Sequence, residues 1–193
     1  MKPYIPILLG TYRKGRQSLK VAEWILARMQ ERDRLKTELI DLETYQLPIM
    51  EERYDPHMEK PPSNLQQFCD RLSQADGVLI VAPEYKGSYP GILKNALDYI
   101  PPQAWKHKPV GICTVSAGQF GGINCLAQLR LLSLALGGLP IPEPFPIAQV
   151  REMFDEQGQV RDVKLNAQLD GFINSLLWYT EALVNKRQME TAR

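Results

Sequence analysis

Residues Val78–Asp98, with the sequence VLIVAPEYKGSYPGILKNALD, decide how the rest of this chain is interpreted. The first five, Val78–Ala82, are apolar without a break, which is typical of a strand buried on both faces of a sheet. Pro83 lacks the N–H that continued strand pairing needs, so we expect the strand to stop there. After a short polar turn, apolar residues recur at helical spacing from Pro90. A strand that leads through a polar loop into a helix is typical of the carboxyl edge of an open α/β sheet, where ligands bind.

The same order of strand, polar loop and helix recurs on both sides of this stretch. Further strands are predicted at Tyr4–Leu9, Leu35–Leu42, Val110–Val115 and Leu139–Ile141, and helices at Ser18–Glu31, Ser63–Gln74, Ile123–Leu136 and Val163–Asn185. Strictly alternating strands and helices predict a doubly wound parallel sheet of five strands, with helices on both faces. We expect one α/β domain over residues 1–185 and a polar tail at 186–193.

Several connecting segments carry expectations of their own. Glu43–Pro62 is rich in proline and charge, and is longer than most connections, so it is a candidate lid or partner contact. Ser63 and Gln66 have the spacing of a capping box at the start of a helix. Glu143–Pro146 are expected to interrupt regular structure, and Asp155–Gly158 to form a tight turn.

Composition excludes several classes of function. The chain has 193 residues, 44% hydrophobic and 23% charged, with a net charge of +1. Neither a basic stripe for nucleic acid nor an apolar run long enough for a signal peptide or a membrane span is visible. Three cysteines, Cys69, Cys113 and Cys125, show no CxxC spacing and are typical of reduced thiols. We therefore expect a soluble cytoplasmic protein with no nucleic-acid and no membrane partner.

The loop after the first strand, Gly10–Ser18, is a candidate anion site. Thr11 offers a hydroxyl, Gly10 and Gly15 allow close backbone approach, and Arg13 and Arg16 can each bond phosphate oxygens through two N–H groups. The loop also begins a helix, whose free N–H groups and dipole favour an anion. A terminal phosphate would suit this set, although a solvated loop with surface arginines would have the same sequence.

A nucleotide triphosphatase loop is excluded by the residues after Gly15. The spacing Gly10-x4-Gly15 matches that motif, but Arg16 and Gln17 replace its Lys and Ser/Thr. The phosphate-bridging lysine and the magnesium-binding hydroxyl are therefore both missing. The dinucleotide signature GxGxxG is absent as well.

Two further polar loops follow the third and fourth strands. Pro83–Ser88 offers a row of backbone N–H groups beside Tyr85, which suits the edge and face of a flat heterocycle. Alternatively, Tyr85 is an ordinary half-buried tyrosine and Glu84 a surface or helix-dipole carboxylate. Ser116–Gly122 is a turn of small residues before a helix. Because these loops follow parallel strands, all three should line one cleft.

At these motifs the chain resembles the NADPH-dependent FMN reductase family, a flavodoxin-like group that includes quinone, azo-dye and chromate reductases. The pattern G-[ST]-x-R-x-x-[SR] corresponds to Gly10–Arg16, and P-E-Y-N-x-S-x-P-G-x-L-K-N-A-[IL]-D to Pro83–Asp98. S-x-G-x-x-G-G corresponds to Ser116–Gly122. Two departures stand out: Lys86 replaces the usual Asn, and Arg16-Gln17-Ser18 replaces the commoner Ser-x-Asn.

The resemblance implies a flavodoxin-like strand order 2-1-3-4-5 and FMN as the cofactor. It assigns the FMN phosphate to Thr11, Arg13, Arg16, Gln17 and Ser18, and the ring to Pro83, Glu84, Tyr85, Lys86, Gly87 and Ser88, with Ser116, Ala117 and Gly118 closing the far side. It further implies a homodimer or homotetramer, with the helix around Lys94–Asp98 near the interface.

The implied activity is hydride transfer from NADPH or NADH to FMN and then to a small-molecule acceptor, in a ping-pong cycle. The acceptor would be a quinone, flavin, azo dye or metal oxyanion. No catalytic side chain and no metal site are expected, and His57 and His107 are interpreted as surface residues. Two alternatives stay open: a flavodoxin-type electron carrier, which the charge of +1 argues against, and a regulatory protein that has lost its flavin.

Overall fold

One parallel sheet organises the residues that this computed structural model describes, which are 2–52, 54–55, 62–156 and 159–191. Its strands are β1 (Ile7–Leu9), β2 (Leu39–Asp41), β3 (Val78–Pro83), β4 (Pro109–Val115), β5 (Leu139–Pro140) and β6 (Phe145–Ile147). The order is β2-β1-β3-β4-β5, with β6 also paired to β4. The predicted doubly wound α/β sheet and its order 2-1-3-4-5 are therefore confirmed.

The fifth position of the sheet is divided between two short strands. β5 pairs with the first two residues of β4, and β6 pairs with the last three. The expectation that Glu143–Pro146 interrupt regular structure is therefore wrong for Phe145 and Pro146, which belong to β6. Pro146 lowered the strand signal, but a proline is tolerated on an edge strand, where its nitrogen has no partner to miss.

The helices are α1 (Ser18–Gln30), α2 (Leu42–Tyr45), α3 (Ser63–Gln74), α4 (Gly91–Asp98), α5 (Pro102–Trp105), α6 (Ile123–Leu136) and α7 (Lys164–Thr191). The predicted bounds of α6 and α3 are confirmed. α7 continues beyond the predicted end at Asn185, so the expected tail is helical as far as Thr191. Arg187 anchors this last part, because its guanidinium donates to the carbonyl oxygens of His107 at 2.9 Å and Asp76 at 3.3 Å.

The start of α3 differs from the predicted capping box. Pro62 occupies the cap position and no side chain caps the helix, since Ser63 is already its first residue. A hydroxyl inside the first turn is no longer placed to accept an N–H two or three residues later. Residues 53 and 56–61 of the expected Glu43–Pro62 loop, and residues 157–158 of the expected turn, lie outside the described residues.

Two apolar clusters cover the two faces of the sheet. α1 and α7 pack on one face, where Leu79 and Val81 of β3 are completely buried. α3, α4 and α6 pack on the other, against Val78 and Ile80 of the same strand. Strand side chains alternate between faces, so a sheet covered on both sides needs the unbroken apolar run that Val78–Ala82 shows. Among the described helices, none combines the length and the apolar character required to span a bilayer.

The packing of α7 on β4 depends on a residue without a side chain, which gives a test of the fold. A Cβ at Gly111 would lie 2.9 Å from Leu176 Cδ2 and 3.1 Å from Phe172 Cζ, whereas a Cβ at Gly171 would meet nothing within 4 Å. We expect Gly111→Ala to lower the free energy of unfolding by about 1–3 kcal/mol through overpacking. Gly171→Ala, inside the same helix, should raise it by about 0.5–1 kcal/mol. Urea denaturation of both variants measures the contrast, and equal effects would contradict this packing.

Candidate functional site

Three loops meet at one edge of the sheet because β1, β3 and β4 run parallel and end close together. Leu9 pairs with Val81, and Pro83 pairs with Val115. The loops that follow these strands enclose a cavity of about 160 Å³. It is lined by Arg13, Gly15, Arg16, Gln17, Ser18, Pro83, Glu84, Tyr85, Val115, Ser116, Ala117, Val150 and Arg151. Residues of all three loops therefore line one cavity, as the sequence predicts.

Tyr85 joins the second loop to the first. Its hydroxyl lies 3.1 Å from Thr11 Oγ1 and accepts a hydrogen bond of 3.1 Å from Arg13 Nε. The guanidinium of Arg13 also lies 5.7 Å from the centre of the tyrosine ring, within cation–π range. These contacts hold Arg13 at the cavity while its two terminal nitrogens remain able to donate. Tyr85 is therefore a structural link in addition to a cavity wall.

The second loop contains a tight turn with unusual backbone angles. The N–H of Tyr85 donates to the carbonyl of Ser88 at 2.8 Å, and the N–H of Ser88 donates back at 3.1 Å. Lys86 and Gly87 lie between them with φ of 52° and 78°. Two successive positive φ values are typical of a type I′ turn, in which Asn-Gly is the favoured pair. The Asn of the family pattern therefore suits this backbone better than Lys86 does.

A side chain from α6 holds this turn in position. Gln128 Nε2 donates to the carbonyl of Gly87 at 2.7 Å, and Ser88 Oγ donates to Gln128 Oε1 at 2.6 Å. Nothing in the sequence motifs pointed to Gln128, since it lies 40 residues from Ser88 along the chain. Gln128 therefore acts on the site by positioning the loop.

Part of the expected row of backbone donors is already in use. The N–H of Glu84 donates to the carbonyl of Val115 at 2.9 Å, and those of Tyr85 and Ser88 bond each other's residues as described. The expectation that this whole row faces a ligand is therefore wrong for these three groups, because strand pairing and the turn engage them. Among the described residues, the N–H groups of Lys86 and Gly87 at the tip of the turn have no such partner.

The carboxylate of Glu84 caps α6. It accepts the N–H of Cys125 at 3.0 Å, in the first turn of that helix. A negative charge there offsets the positive end of the helix dipole, so the helix-dipole alternative for Glu84 is supported. Burial and the adjacent Glu84 raise the pKa of Cys125 to about 12. The thiol nearest the site is therefore neutral near pH 7 and is a poor nucleophile.

The segment after β6 folds against the third loop. Ser116 Oγ accepts the N–H of Gly118 at 3.0 Å, and the Ser116 carbonyl accepts the N–H of Val150 at 3.1 Å. Gln149, with φ of 48°, donates its N–H to the carbonyl of Gly118 at 3.0 Å. This turn carries Val150 and Arg151 to the cavity. Sequence reasoning missed both residues because it missed β6, which presents them.

The guanidinium of Arg16, which the sequence motif assigns to the phosphate, is bonded to other groups of the protein. Its Nη1 and Nη2 donate to Asp41 Oδ1 at 3.0 Å and Oδ2 at 2.5 Å, and Nη2 also donates to Glu43 Oε2 at 2.7 Å. A further bond of 2.6 Å joins Nη1 to the carbonyl of Thr11. The side chain is only 7% exposed. Arg16 therefore ties the first loop to the end of β2, because parallel pairing brings Asp41 beside the carboxyl end of β1.

Ser18 is the residue whose surroundings most clearly indicate a ligand. It is the first residue of α1, it lines the cavity, and it is 1% exposed. Its hydroxyl is buried without a hydrogen-bond partner. Such a group costs about 1–3 kcal/mol unless something bonds it. At the start of a helix, beside free N–H groups and a positive dipole end, the fitting partner is an anionic oxygen such as that of a phosphate.

The structure brings nine of the fourteen predicted site residues to the cavity wall. They are Arg13, Arg16, Gln17, Ser18, Pro83, Glu84, Tyr85, Ser116 and Ala117. The other five, Thr11, Lys86, Gly87, Ser88 and Gly118, lie in the same loops but are not part of the wall. Gly10 also packs closely on α4, since a Cβ there would lie 2.8 Å from Leu93 Cδ2.

Three further expectations concern ionisable residues outside the cavity. His107 is exposed, as expected, and His57 lies outside the described residues. Among the described residues, no group of three His, Cys, Asp or Glu side chains is arranged to hold a metal ion. Lys94 and Asp98 form the (i, i+4) ion pair, with 2.5 Å between Nζ and Oδ2.

The turn at Lys86 yields a prediction about stability. Lys86 is exposed, so the backbone angle and not packing decides which residue is favoured there. Lys86→Asn should raise the free energy of unfolding by about 0.5–1 kcal/mol, because Asn tolerates positive φ. Lys86→Val should lower it by about 1 kcal/mol or more, since a β-branched residue strongly disfavours this region. Chemical denaturation of the two variants without flavin checks the order, and a more stable Val variant would contradict the turn assignment.

Known proteins resemble this chain over most of its length. The family model described as NADPH-dependent FMN reductase matches residues 3–152. A quinone reductase of Escherichia coli is 33% identical over 168 residues, 83% of this chain and 86% of that protein. An FMN-dependent NADPH-azoreductase of Staphylococcus haemolyticus is 31% identical over 140 residues, 70% of this chain and 72% of the relative.

A solved structure extends the likeness to three dimensions. FerB, a flavoenzyme NAD(P)H:(acceptor) oxidoreductase of Paracoccus denitrificans, superposes with a TM-score of 0.77 at 27% identity. The match covers 93% of this chain and 98% of FerB. Together with the family model, which spans more than three quarters of the sequence, these likenesses establish the relationship. The chain belongs to the NADPH-dependent FMN reductase family.

Proposed function

We propose that this protein is an FMN-dependent NAD(P)H oxidoreductase that passes a hydride from NAD(P)H to a quinone, flavin, azo dye or metal-oxyanion acceptor. The buried, unbonded hydroxyl of Ser18 at the start of α1 is the observation that carries the proposal. It supports a ligand with a phosphate group, and membership of the family supports FMN as that ligand.

The phosphate of FMN would lie at the amino end of α1. Ser18 would donate its hydroxyl proton to a phosphate oxygen, and the free N–H groups of the first helical turn would donate beside it. Arg13 would add its terminal nitrogens, because its Nε alone is used by Tyr85. Gln17 stands next to these groups on the cavity wall. Thr11, although not on the wall, orients Tyr85 and accepts the N–H of Arg13 at 3.3 Å.

The flavin ring would lie between the second and third loops. Pro83, Glu84 and Tyr85 of the second loop and Ser116 and Ala117 of the third loop line the cavity. In the turn that follows, the N–H groups of Lys86 and Gly87 would be available to the edge of the ring. A cavity of about 160 Å³ is smaller than a typical ligand pocket, so part of the ring would face the open cleft.

The bound flavin supplies the hydride chemistry, and the protein supplies position and electrostatics. The side chains of the cavity wall are mostly committed to holding the loops, as Glu84 and Tyr85 show. None is arranged as a nucleophile with a base beside it, which supports a reaction without a catalytic acid or base from the protein. NAD(P)H and the acceptor would reach the exposed part of the ring one after the other, which is the ping-pong order.

Two further parts of the proposal concern assembly and compartment. α6 exposes Ile123, Leu131 and Leu134 at 58%, 69% and 55%, and Phe120 before it is 79% exposed. An apolar stripe of this kind supports a homodimer or homotetramer, which light scattering would detect.

The three cysteines are free and buried. Unpaired thiols support a reducing compartment such as the cytoplasm.

Oxidation of NADPH by the purified protein tests the proposed activity. We expect addition of FMN, NADPH and a quinone or ferricyanide to give steady consumption of NADPH, with parallel double-reciprocal plots as both substrates are varied. FMN binding without NADPH or NADH consumption with any acceptor would favour an electron carrier. A protein that neither retains nor quenches FMN would favour a regulatory role and would overturn the proposal.

Ser18→Ala separates a ligand role from a structural role. Removing an unbonded buried hydroxyl should leave the stability of the flavin-free protein unchanged or raise it, since the hydroxyl has no partner to lose. The same change should weaken FMN binding by about 1 kcal/mol, because the phosphate loses a donor. Fluorescence quenching of FMN and thermal unfolding of the free protein measure the two effects. Lower stability with unchanged FMN affinity would contradict the role of Ser18.

Arg13→Ala should weaken FMN binding by about 1.5–3 kcal/mol, the usual contribution of a hydrogen bond to a charged group. Riboflavin, which lacks the phosphate, should lose far less affinity for the same variant. Both ligands are titrated by fluorescence quenching. Equal losses for the two ligands would show that Arg13 acts through loop structure instead of through the phosphate.

A further inference from the structure

We propose that Arg151, on the turn after β6, is the second cation that binds the phosphate of FMN, in the place that the sequence motif gives to Arg16. This inference rests on the proposed function, because it takes FMN to be the ligand. No motif contains Arg151, and it reaches the cavity only through the tertiary structure.

The guanidinium of Arg16 is already engaged by other groups of the protein. It bonds Asp41 through two nitrogens, Glu43 through one, and the carbonyl of Thr11, in a side chain that is 7% exposed. Releasing Asp41, whose side chain is 18% exposed, would leave a largely desolvated carboxylate without its cation, which is unfavourable. Asp41 also accepts the N–H of Glu43 at 3.0 Å, so the cluster is closed on itself. A phosphate would gain little from an arginine that two carboxylates already neutralise.

A phosphate in this cavity requires positive charge around it. FMN carries about −1.5 to −2 on its phosphate at pH 7, by the behaviour of phosphate monoesters. Arg13 offers one positive charge and the start of α1 about half of one. Glu84 on the cavity wall, and the excess carboxylate around Arg16, oppose them. Without Arg151 the charges around the cavity would roughly cancel, so the cavity would not favour an anion.

Arg151 is on the cavity wall, and its side chain is free to bind a ligand. It lines the same cavity as Ser18, Arg13 and Ser116. It is exposed, and within the part of the chain that the structure describes it has no ion pair or hydrogen bond from its side chain. Arg151 and the unpartnered hydroxyl of Ser18 are on the wall of one cavity, where a phosphate could accept hydrogen bonds from both groups.

Hydrogen bonds already hold the backbone around Arg151 when no ligand is bound. The N–H of Val150 bonds the Ser116 carbonyl at 3.1 Å, and that of Gln149 bonds the Gly118 carbonyl at 3.0 Å. The N–H of Glu152 returns to the carbonyl of Gln149 at 2.9 Å and closes the turn. Binding would therefore order only the side chain of Arg151, which keeps the entropy cost low.

The 2′-phosphate of NADPH has the same chemistry as the phosphate of FMN and is the competing source. We assign Arg151 to FMN because it shares the cavity wall with Ser18 at the start of α1, where the flavin phosphate would be buried. A nucleotide that must enter and leave would approach through the open cleft. The two sources are distinguished by measuring flavin binding and nucleotide preference separately.

The experiment titrates FMN and riboflavin into the flavin-free protein and into three variants, with fluorescence quenching as the readout. The variants are Arg151→Gln, Arg151→Lys and Arg34→Gln, the last removing one positive charge from an exposed arginine outside the cavity. We expect Arg151→Gln to raise the Kd for FMN about ten- to a hundred-fold, as loss of a charge-assisted hydrogen bond would. Riboflavin binding should change less than about three-fold. Arg151→Lys should restore part of the affinity, and Arg34→Gln should match the wild type.

Two results would overturn the inference while leaving the proposed function intact: an unchanged Kd for FMN in Arg151→Gln, and equal losses for FMN and riboflavin. If the first is accompanied by an altered ratio of KM for NADPH to KM for NADH, Arg151 belongs to the nucleotide instead. Wild-type protein that binds neither flavin would instead overturn the proposed function and this inference together.

Discussion

The parallel register of three neighbouring strands is the constraint on which the site depends. β1, β3 and β4 pair so that Leu9 faces Val81 and Pro83 faces Val115, and their loops leave the sheet at one edge. Residues that are far apart in the chain, such as Arg13, Tyr85 and Ser116, therefore surround a single cavity. A shift of one residue in any of these pairings would exchange the faces of a strand and move its loop along the edge. The apolar run of β3 would be buried in either register, so contacts between the loops, such as those of Tyr85 with Thr11 and Arg13, oppose the shift.

The polar groups at this edge divide into those that hold the loops and those left for a ligand. Tyr85, Glu84, Gln128 and Arg16 have their partners within the protein. The hydroxyl of Ser18 has none, although burial without a hydrogen bond is costly. Because this hydroxyl contributes nothing to the stability of the fold, we assign it to ligand binding. Pre-organised loops with few unsatisfied donors are what a cofactor site requires, because little has to be ordered when the cofactor binds.

Local sequence patterns were sufficient for the elements with strong signals. α6 was predicted with its bounds because glycines at 122 and 137, both with positive φ, flank an apolar run. β6 was missed because three residues with a proline at the centre give no local strand signal; pairing with β4 makes the strand. The ion pairs of Arg16 were missed for a similar reason. Its partner Asp41 lies 25 residues away, and only the pairing of β1 with β2 brings them together. Long-range contacts of this kind cannot be read from spacing or propensity.

A crystal structure of the protein grown with FMN is the most direct measurement of the central claim, that three loops at one sheet edge hold a flat ring by its phosphate. We predict the phosphate within hydrogen-bond distance of Ser18 Oγ and the first N–H groups of α1, and the ring between Pro83–Tyr85 and Ser116–Ala117. A flavin bound at another surface, or one in this cleft whose phosphate points away from α1, would contradict the account.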